Sequence, residues 1–319
     1  MARYLITGIA GFIGSSLARA LLQEGGEVRG VDNFATGRQE NLDPILNQID
    51  FREVDILDTN AMAEACTGVD YVFHEAAIPS VPKSVLDPIA SNRASVDGTV
   101  SVLVAARDAK VKRVIYAASS SAYGDTPTLP KHEDMVPNPL SPYAAAKLAG
   151  EFYMKAFYRC YLLETISLRY FNIFGPRQNP SSPYSGVLAK FATQMLAGDQ
   201  PTIFGDGEQS RDFTYVDDAV QANLKACHAP ASQVAGEMFN VATGTRVSLK
   251  ETFQALKELT GYSGEPAFGP ERAGDVKHSL ADITRARRQF GYNPEVNFRE
   301  GLRRTVDWYR VSAVQELEQ

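Results

Sequence analysis

The stretch Tyr4–Leu5–Ile6–Thr7–Gly8–Ile9–Ala10–Gly11–Phe12–Ile13–Gly14 decides the fold of this 319-residue chain. Its apolar start predicts a buried strand, and the three glycines follow at the spacing of a phosphate-binding turn. Gly8 permits a tight turn, Gly11 allows backbone amides to approach a pyrophosphate, and Gly14 lets the next helix pack closely on the sheet. The stretch therefore predicts a strand, turn and helix that bind a dinucleotide.

Asp32 closes the next apolar run, eighteen residues after Gly14. A carboxylate at this position accepts hydrogen bonds from both ribose hydroxyls of the adenosine, whereas a 2′-phosphate would meet a like charge. The sequence therefore predicts NAD rather than NADP as the cofactor.

Strand-like and helical segments alternate along the first half of the chain. This alternation predicts an α/β fold with a Rossmann-like, doubly wound parallel sheet, whose ligand lies at the carboxyl ends of the strands. The predicted strands are Val28–Asp32, Phe51–Asp55, Tyr71–His74, Val114–Ser119 and Glu164–Phe174, and two of the helices are Ser15–Glu24 and Val96–Ala109.

The second half is predicted to form a smaller, discontinuous substrate-binding lobe. Prolines interrupt regular structure after Phe174, while Asp212–Cys227 and Met238–Gly244 are predicted to return to the sheet. We therefore assign residues 1–174 plus 212–244 to the NAD-binding domain and 175–211 plus 245–319 to the lobe.

The composition excludes several classes of protein. A net charge of −6 argues against nucleic acid or an anionic membrane as the main partner, and no apolar run is long enough for a membrane span. Cys66, Cys160 and Cys227 are widely spaced and predict neither disulfides nor a metal site. We expect a cytoplasmic, metal-free protein that holds any anionic ligand with local basic groups.

Tyr143 and Lys147 are the candidate catalytic pair. They lie four residues apart on a predicted helix, Pro142–Arg159, with Ser141 as its N-cap, so they share one face. A phenol has a reference pKa of about 10, but a nearby ammonium favours the phenolate, which can take a proton from an alcohol. Ser119, at a predicted strand end, can donate a hydrogen bond to the reacting oxygen.

With these motifs, the chain resembles the extended short-chain dehydrogenase/reductase superfamily and, within it, the UDP-hexose 4-epimerases. The resemblance covers nearly the whole chain. The matching stretches are Gly8–Gly14, Asp32–Asn33, Asp55–Ile56, His74–Ala77, Ser119–Ser121, Tyr123–Gly124, Ser141–Lys147, Arg169–Gly175, Gly205–Gly207, Arg211–Asp217 and Arg272–Asp275.

The resemblance implies a role for each matching residue. Tyr143 would be the base, Lys147 would bind the nicotinamide ribose and lower the pKa of Tyr143, and Ser119 would assist at the sugar 4-hydroxyl. It also implies a homodimer, paired through the helices at 142–159 and 96–109. The implied NAD site contains Gly8, Gly11, Phe12, Ile13, Gly14, Asp32, Asn33, Asp55, Ile56, Ala76, Ala77, Tyr143 and Lys147, and the implied UDP-sugar site contains Ser119, Ser121, Tyr143, Asn172, Thr202, Phe204, Arg211, Arg272, Asp275 and Ser279.

Three features narrow the expected substrate. The triplet Ser119–Ser121 has no acid to protonate a leaving 6-oxygen, which disfavours a dehydratase. By resemblance, Asn172 favours a neutral hexose over a uronate, although Arg177 leaves the uronate open. Ser279 takes the place of a tyrosine that, in the family, restricts the pocket beside the sugar 2-substituent, and its small size leaves room for an acetamido group.

We therefore expect reversible 4-epimerisation of a UDP-hexose through a transient 4-keto sugar and bound NAD. UDP-N-acetylglucosamine and UDP-N-acetylgalactosamine are the first candidates, followed by UDP-glucose and UDP-galactose. The alternatives are a UDP-glucuronate 4-epimerase and a non-catalytic NAD-sensing protein. Glu75 departs from the family pattern, which usually has an apolar residue or glutamine after His74.

Overall fold

The computed structural model describes residues 1–180, 186–271 and 276–317. The strands are β1 Arg3–Thr7, β2 Glu27–Asp32, β3 Asp50–Glu53, β4 Tyr71–His74, β5 Arg113–Ser119, β6 Glu164–Tyr170, β7 Ile173–Phe174, β8 Thr202–Phe204, β9 Ser210–Arg211, β10 Thr214–Tyr215, β11 Glu237–Val241, β12 Val247–Ser248 and β13 Ala267–Gly269.

The helices are α1 Phe12–Gln23, α2 Thr59–Cys66, α3 Val81–Leu86, α4 Pro88–Asn92, α5 Gly98–Asp108, α6 Pro142–Tyr161, α7 Val187–Ala197, α8 Val216–His228, α9 Ala231–Val234, α10 Leu249–Thr260, α11 Thr284–Phe290 and α12 Phe298–Leu317. Short 3₁₀ segments cover Gln39–Asn41, Asp43–Gln48 and Ser120–Tyr123, and a π-helical turn, Arg93–Asp97, joins α4 to α5.

A seven-stranded sheet in the order β11-β6-β5-β4-β1-β2-β3 forms the centre of the fold, with every neighbouring pair parallel. One face is covered by α1, α8 and α11, whose apolar residues pack with Phe73, Ile115 and Phe239. The other face is covered by α2, α5 and α6. The predicted Rossmann-like, doubly wound fold is thus confirmed.

A separate apolar cluster packs beside the sheet. It joins α7, α10 and α12 around Phe191, Phe253 and Leu302, together with residues of β7 and β10. The small pairs β7–β10, β8–β13 and β9–β12 lie in this region. Residues 281–292 pack with the sheet cluster instead. The predicted division into two discontinuous domains stays a prediction.

Two predicted elements differ in the structure. Glu164–Phe174 was expected as one strand, but β6 ends at Tyr170 because Asn172 adopts a left-handed φ of 41° and donates from Nδ2 to the Asp212 carbonyl, 2.9 Å away. The chain then leaves the sheet through β7. Val96–Ala109 was expected as one helix, and it begins instead within the π-helical turn that precedes α5.

In the part of the chain that the structure describes, no helix is long and apolar enough to cross a membrane.

Candidate active site

A cavity of about 1470 Å³ runs along the carboxyl ends of β1, β2, β4, β5 and β6. It brings together most of the predicted site residues. Its walls include Gly8, Gly11, Phe12, Ile13, Gly14, Asp32, Asn33, Asp55, Ile56, Ala76, Ala77, Ser119, Ser121, Tyr143, Lys147, Asn172, Arg211 and Ser279.

Two predicted substrate residues of the described chain are not among these walls, and two others are not described. Thr202 and Phe204 belong to β8, which pairs with β13 in the lobe, and neither lines the cavity. Arg272 and Asp275 lie outside the described residues.

The glycine turn brings three backbone segments into close contact. Gly8 has a φ of 72°, and a Cβ built on it would lie 2.8 Å from the Ala76 Cα. A Cβ on Gly14 would lie 2.2 Å from the Gly8 carbonyl oxygen. A side chain at Gly8 would therefore separate β1 from the end of β4, and one at Gly14 would separate α1 from β1. The turn leaves its wall of the cavity open to a phosphate group.

Asp32 connects this turn to the end of β2. Its Oδ2 accepts from the Ala10 N–H at 2.9 Å, and its Oδ1 accepts from the Phe34 N–H at 2.8 Å. Burial raises the pKa of the Asp32 carboxyl, while these backbone hydrogen bonds oppose the rise. The carboxylate faces the cavity and fits a ribose diol, as expected for NAD.

Two arginines add positive charge beside α1. Arg177 donates from Nη2 to the Ser16 Oγ at 3.0 Å, and its Nε is buried without a hydrogen-bond partner. Burial and the charge of Arg177 lower the pKa of Arg19 to about 10. Arg177 lines the cavity and can meet an anion there, whereas Arg19 does not line it and donates to the Ser15 and Asn41 carbonyls. The uronate alternative, which rests on Arg177, stays a prediction.

Lys147 is buried beside the end of β5. Ser141 caps α6 by accepting from the Ala144 N–H at 3.1 Å, with Pro142 in the first helical position, as predicted. The Lys147 Nζ donates to the Ala117 carbonyl at 2.7 Å and lies 4.8 Å from the Tyr116 ring centroid. Burial lowers the pKa of Lys147 to about 8.

Tyr143 and Ser119 face each other at the same wall. Burial raises the pKa of Tyr143, and a hydrogen bond with Ser119 opposes this rise. Ser119 in turn accepts from the Ser121 Oγ at 2.8 Å. Burial therefore has the larger effect on the pKa of Tyr143. The Lys147 ammonium, which we expect to lower this pKa, is directed to the Ala117 carbonyl.

The end of the cavity that contains Ser279 and Arg211 combines small and basic side chains. Arg211 donates from Nη1 to the carbonyls of Ser210 and Lys277, both at 3.1 Å, which fixes the position of its guanidinium. Ser279 is bound to β9 through its backbone N–H, 3.0 Å from the Ser210 carbonyl. Sequence reasoning missed Lys131, which is buried here and donates to the Thr126 Oγ1 at 2.5 Å.

Sequence reasoning also missed the contact between Glu75 and Tyr170. The Tyr170 hydroxyl donates to the Glu75 Oε1 at 2.8 Å, and both residues line the cavity. The departure from the family pattern at Glu75 was the available signal. Within residues 1–180, 186–271 and 276–317, no group of three or more His, Cys, Asp or Glu could hold a metal ion.

Comparison with known proteins identifies the family. The model of the NAD dependent epimerase/dehydratase family matches residues 4–242. The chain belongs to this family. The match confirms the predicted superfamily and NAD as the cofactor, and the glycine turn and Asp32 provide a site that fits it.

Individual members of this NAD-dependent epimerase/dehydratase family are similar over almost their whole length. The UDP-glucose 4-epimerase of Mycolicibacterium smegmatis is 42% identical over 314 residues, which cover 97% of this chain and 98% of that protein. The structure of UDP-glucose 4-epimerase with UDP-glucose from Thermotoga maritima has a TM-score of 0.93 and 39% identity, covering 98% and 99% of the two chains.

A third family member differs in its sugar. The UDP-N-acetylglucosamine 4-epimerase from Methanobrevibacter ruminantium M1, in complex with UDP-N-acetylmuramic acid, has a TM-score of 0.92 and 37% identity. The match covers 98% of this chain and 99% of that one.

Asp32→Asn tests the cofactor site. An amide nitrogen would face one of the two backbone N–H groups that Asp32 now binds, so we expect NAD affinity to fall about 10- to 100-fold. We also expect a smaller preference for NAD over NADP. Calorimetric titration with both dinucleotides measures this, with Asp43→Asn, an exposed carboxylate change, as the control. Unchanged NAD affinity in Asp32→Asn would contradict the assignment.

Proposed function

We propose that this protein catalyses reversible 4-epimerisation of a UDP-hexose. The observation that carries the proposal is the placement of Tyr143, Lys147 and Ser119 on one wall of the cavity that contains the glycine turn and Asp32. The UDP-sugar 4-epimerases among its relatives support the same reaction class. A non-catalytic NAD-sensing protein would not require Tyr143, Lys147 and Ser119 to lie together.

Tyr143 acts as the base in the proposed mechanism. It takes the proton of the sugar 4-hydroxyl, while Ser119 donates a hydrogen bond to the same oxygen. The glycine turn and Asp32 would hold NAD, which would supply the hydride acceptor and donor for carbon 4. The charge of Lys147 stabilises the phenolate of Tyr143. The 4-keto sugar then rotates in the pocket and presents its opposite face. Tyr143 returns the proton to the oxygen, and because carbon 4 regains its hydride, no net oxidation occurs.

UDP-N-acetylglucosamine and UDP-N-acetylgalactosamine are the substrates that we propose first. Ser279 contributes a small side chain to the cavity, and its backbone is fixed by β9. The pocket beside it can therefore accept a 2-acetamido group without a loop movement. UDP-glucose and UDP-galactose would also fit, because a larger pocket excludes a smaller sugar only weakly.

We also propose a homodimer that pairs through the outer surface of α6. Phe152 is 61% exposed, and its neighbour Tyr153 is 40% exposed. An exposed apolar surface of this kind favours a protein contact. A second copy related by a two-fold axis would cover it with the same surface.

The dimer proposal predicts that Phe152→Lys produces a monomer. A buried ammonium without a partner would oppose the pairing of α6 with its copy. Multi-angle light scattering of the wild-type chain should give twice the mass of the variant. Phe268→Lys is the matched control, because Phe268 is 60% exposed but lies in β13, away from α6. A monomeric wild-type protein would contradict this proposal.

Tyr143→Phe should lower turnover of the UDP-sugar about 10²- to 10⁴-fold, because the general base is lost. Calorimetry should find NAD and UDP binding retained, since the ring remains. The control is Tyr161→Phe, which removes a hydroxyl from an exposed ring at the far end of the same helix. Near-normal turnover by Tyr143→Phe would refute its role as the base.

Ser279→Tyr should narrow the substrate range. The added ring would occupy the space for a 2-acetamido group, so we expect turnover of UDP-N-acetylglucosamine to fall about 10- to 200-fold relative to UDP-glucose. Chromatographic analysis of both 4-epimers measures this ratio, with Ser279→Ala as the control. A wild-type enzyme that epimerises UDP-glucuronate alone would instead favour the uronate alternative.

A further inference from the structure

Glu75 places a carboxylate in the cavity wall that the proposed mechanism does not use. It directly follows β4, and its Oε1 accepts from the Tyr170 hydroxyl at 2.8 Å. The Tyr170 oxygen accepts in turn from the Asn223 Nδ2 at 2.7 Å, and Asn223 is fully buried in α8. Two further elements, β6 and α8, thus fix the orientation of this carboxylate.

His74 of β4 pairs with Tyr116 of β5, so Glu75 follows beside Ala117 at the sheet edge. Lys147 lines the same cavity and binds at this position. Its ammonium donates to a neutral acceptor, the Ala117 carbonyl. The charges of Glu75 and Glu151 both favour the ammonium, and Glu75 has the larger effect. Titratable groups on the elements packed around Lys147 are Glu75 after β4, His74 of β4, Tyr116 of β5, and Tyr143 and Glu151 of α6.

The other groups in this set cannot replace Glu75. Glu151 is already bound by Arg169, whose Nε and Nη2 donate to its two oxygens at 2.8 and 2.7 Å. Burial lowers the pKa of His74 to about 3, with a smaller effect from Lys147, so His74 is neutral. Burial also raises the pKa of Tyr116, which keeps that phenol protonated.

We propose that Glu75, fixed by Tyr170, is a positioning residue for the reaction: its carboxylate supplies the counter-charge that keeps Lys147 an ammonium beside Tyr143. The inference rests on the proposed function of Tyr143 as the base. Glu75 does not touch the reacting atoms in this role. It acts through Lys147, whose positive charge favours the phenolate.

The titration of the two groups limits the pH range of this pair. Burial raises the pKa of Glu75 to about 7, opposed by Tyr170 and Lys147. Lys147, with its pKa lowered to about 8, loses its proton above that pH. The pair therefore loses the Glu75 charge on the acid side and the Lys147 charge on the alkaline side. Without the carboxylate, the pKa of Lys147 falls further, and the ammonium is lost at a lower pH.

Glu75→Gln tests the inference, because glutamine keeps the acceptor for the Tyr170 hydroxyl and removes the charge. The first measurement is the pH dependence of Lys147 acetylation by trace acetic anhydride, followed by mass spectrometry on the full chain without sugar. We expect the midpoint to fall by about one pH unit. The second is the pH profile of kcat/KM, whose alkaline limb should fall by the same amount.

Two further variants separate charge from structure. Glu64→Gln, an exposed change in α2, should move neither measurement. Tyr170→Phe keeps the Glu75 charge but frees its orientation, and it should produce a smaller shift than Glu75→Gln. A Glu75→Gln enzyme with kcat reduced equally at every pH and an unchanged Lys147 midpoint would overturn the inference.

The two measurements also distinguish this inference from the proposed function. A shifted Lys147 midpoint in a protein that turns over no UDP-sugar would overturn the proposed function and the role of Glu75 in it, while leaving the electrostatic link intact. Turnover of a UDP-sugar with neither the midpoint nor the alkaline limb changed would overturn the role of Glu75 alone.

Discussion

The close approach of backbone segments at the carboxyl end of β1 is the constraint on which the site depends. A methyl group on Gly14 would lie 2.2 Å from the Gly8 carbonyl oxygen, and one on Gly8 would lie 2.8 Å from the Ala76 Cα. Because these positions have no side chains, α1 begins directly over the sheet edge. The parallel sheet then brings Asp32 and Ser119, at the ends of β2 and β5, to the same edge.

The catalytic wall places charged side chains in the protein interior. Glu151 and Arg169 form a buried ion pair, and the Arg169 guanidinium lies 4.4 Å from the Tyr123 ring centroid. Desolvation makes such a pair weak evidence for stability. Its geometric effect is clearer, because it fixes α6 against β6 about two turns after Tyr143. The helix that carries Tyr143 and Lys147 is therefore held by charge as well as by apolar packing.

Local signals in the sequence were sufficient for the glycine turn, for the bounds of β4 and for the start of α6, where Ser141 and Pro142 act as predicted. Contacts between distant elements were not predictable in this way. Glu75, Tyr170 and Asn223 come from three elements, and only tertiary packing brings them together. Because β7 is apolar, no signal in the sequence marks the interruption of the strand at Asn172. The placement of Thr202 and Phe204 came from resemblance, whereas their strand pairs with β13.

Backbone hydrogen bonds join the segments at the end of the cavity that contains Ser279. The Ser279 N–H donates to the Ser210 carbonyl at 3.0 Å, the Lys131 N–H donates to the Leu280 carbonyl at 2.7 Å, and the Asp282 N–H donates to the Lys131 carbonyl at 2.8 Å. The segment that carries Ser279 is therefore hydrogen-bonded both to β9 and to the segment around Lys131. In the proposed reaction, the sugar must present both faces of carbon 4, which requires firm binding of the nucleotide and weak contacts with the ring. A hydrogen-bonded wall with a serine side chain meets that requirement, because the small side chain leaves space for the sugar ring to rotate.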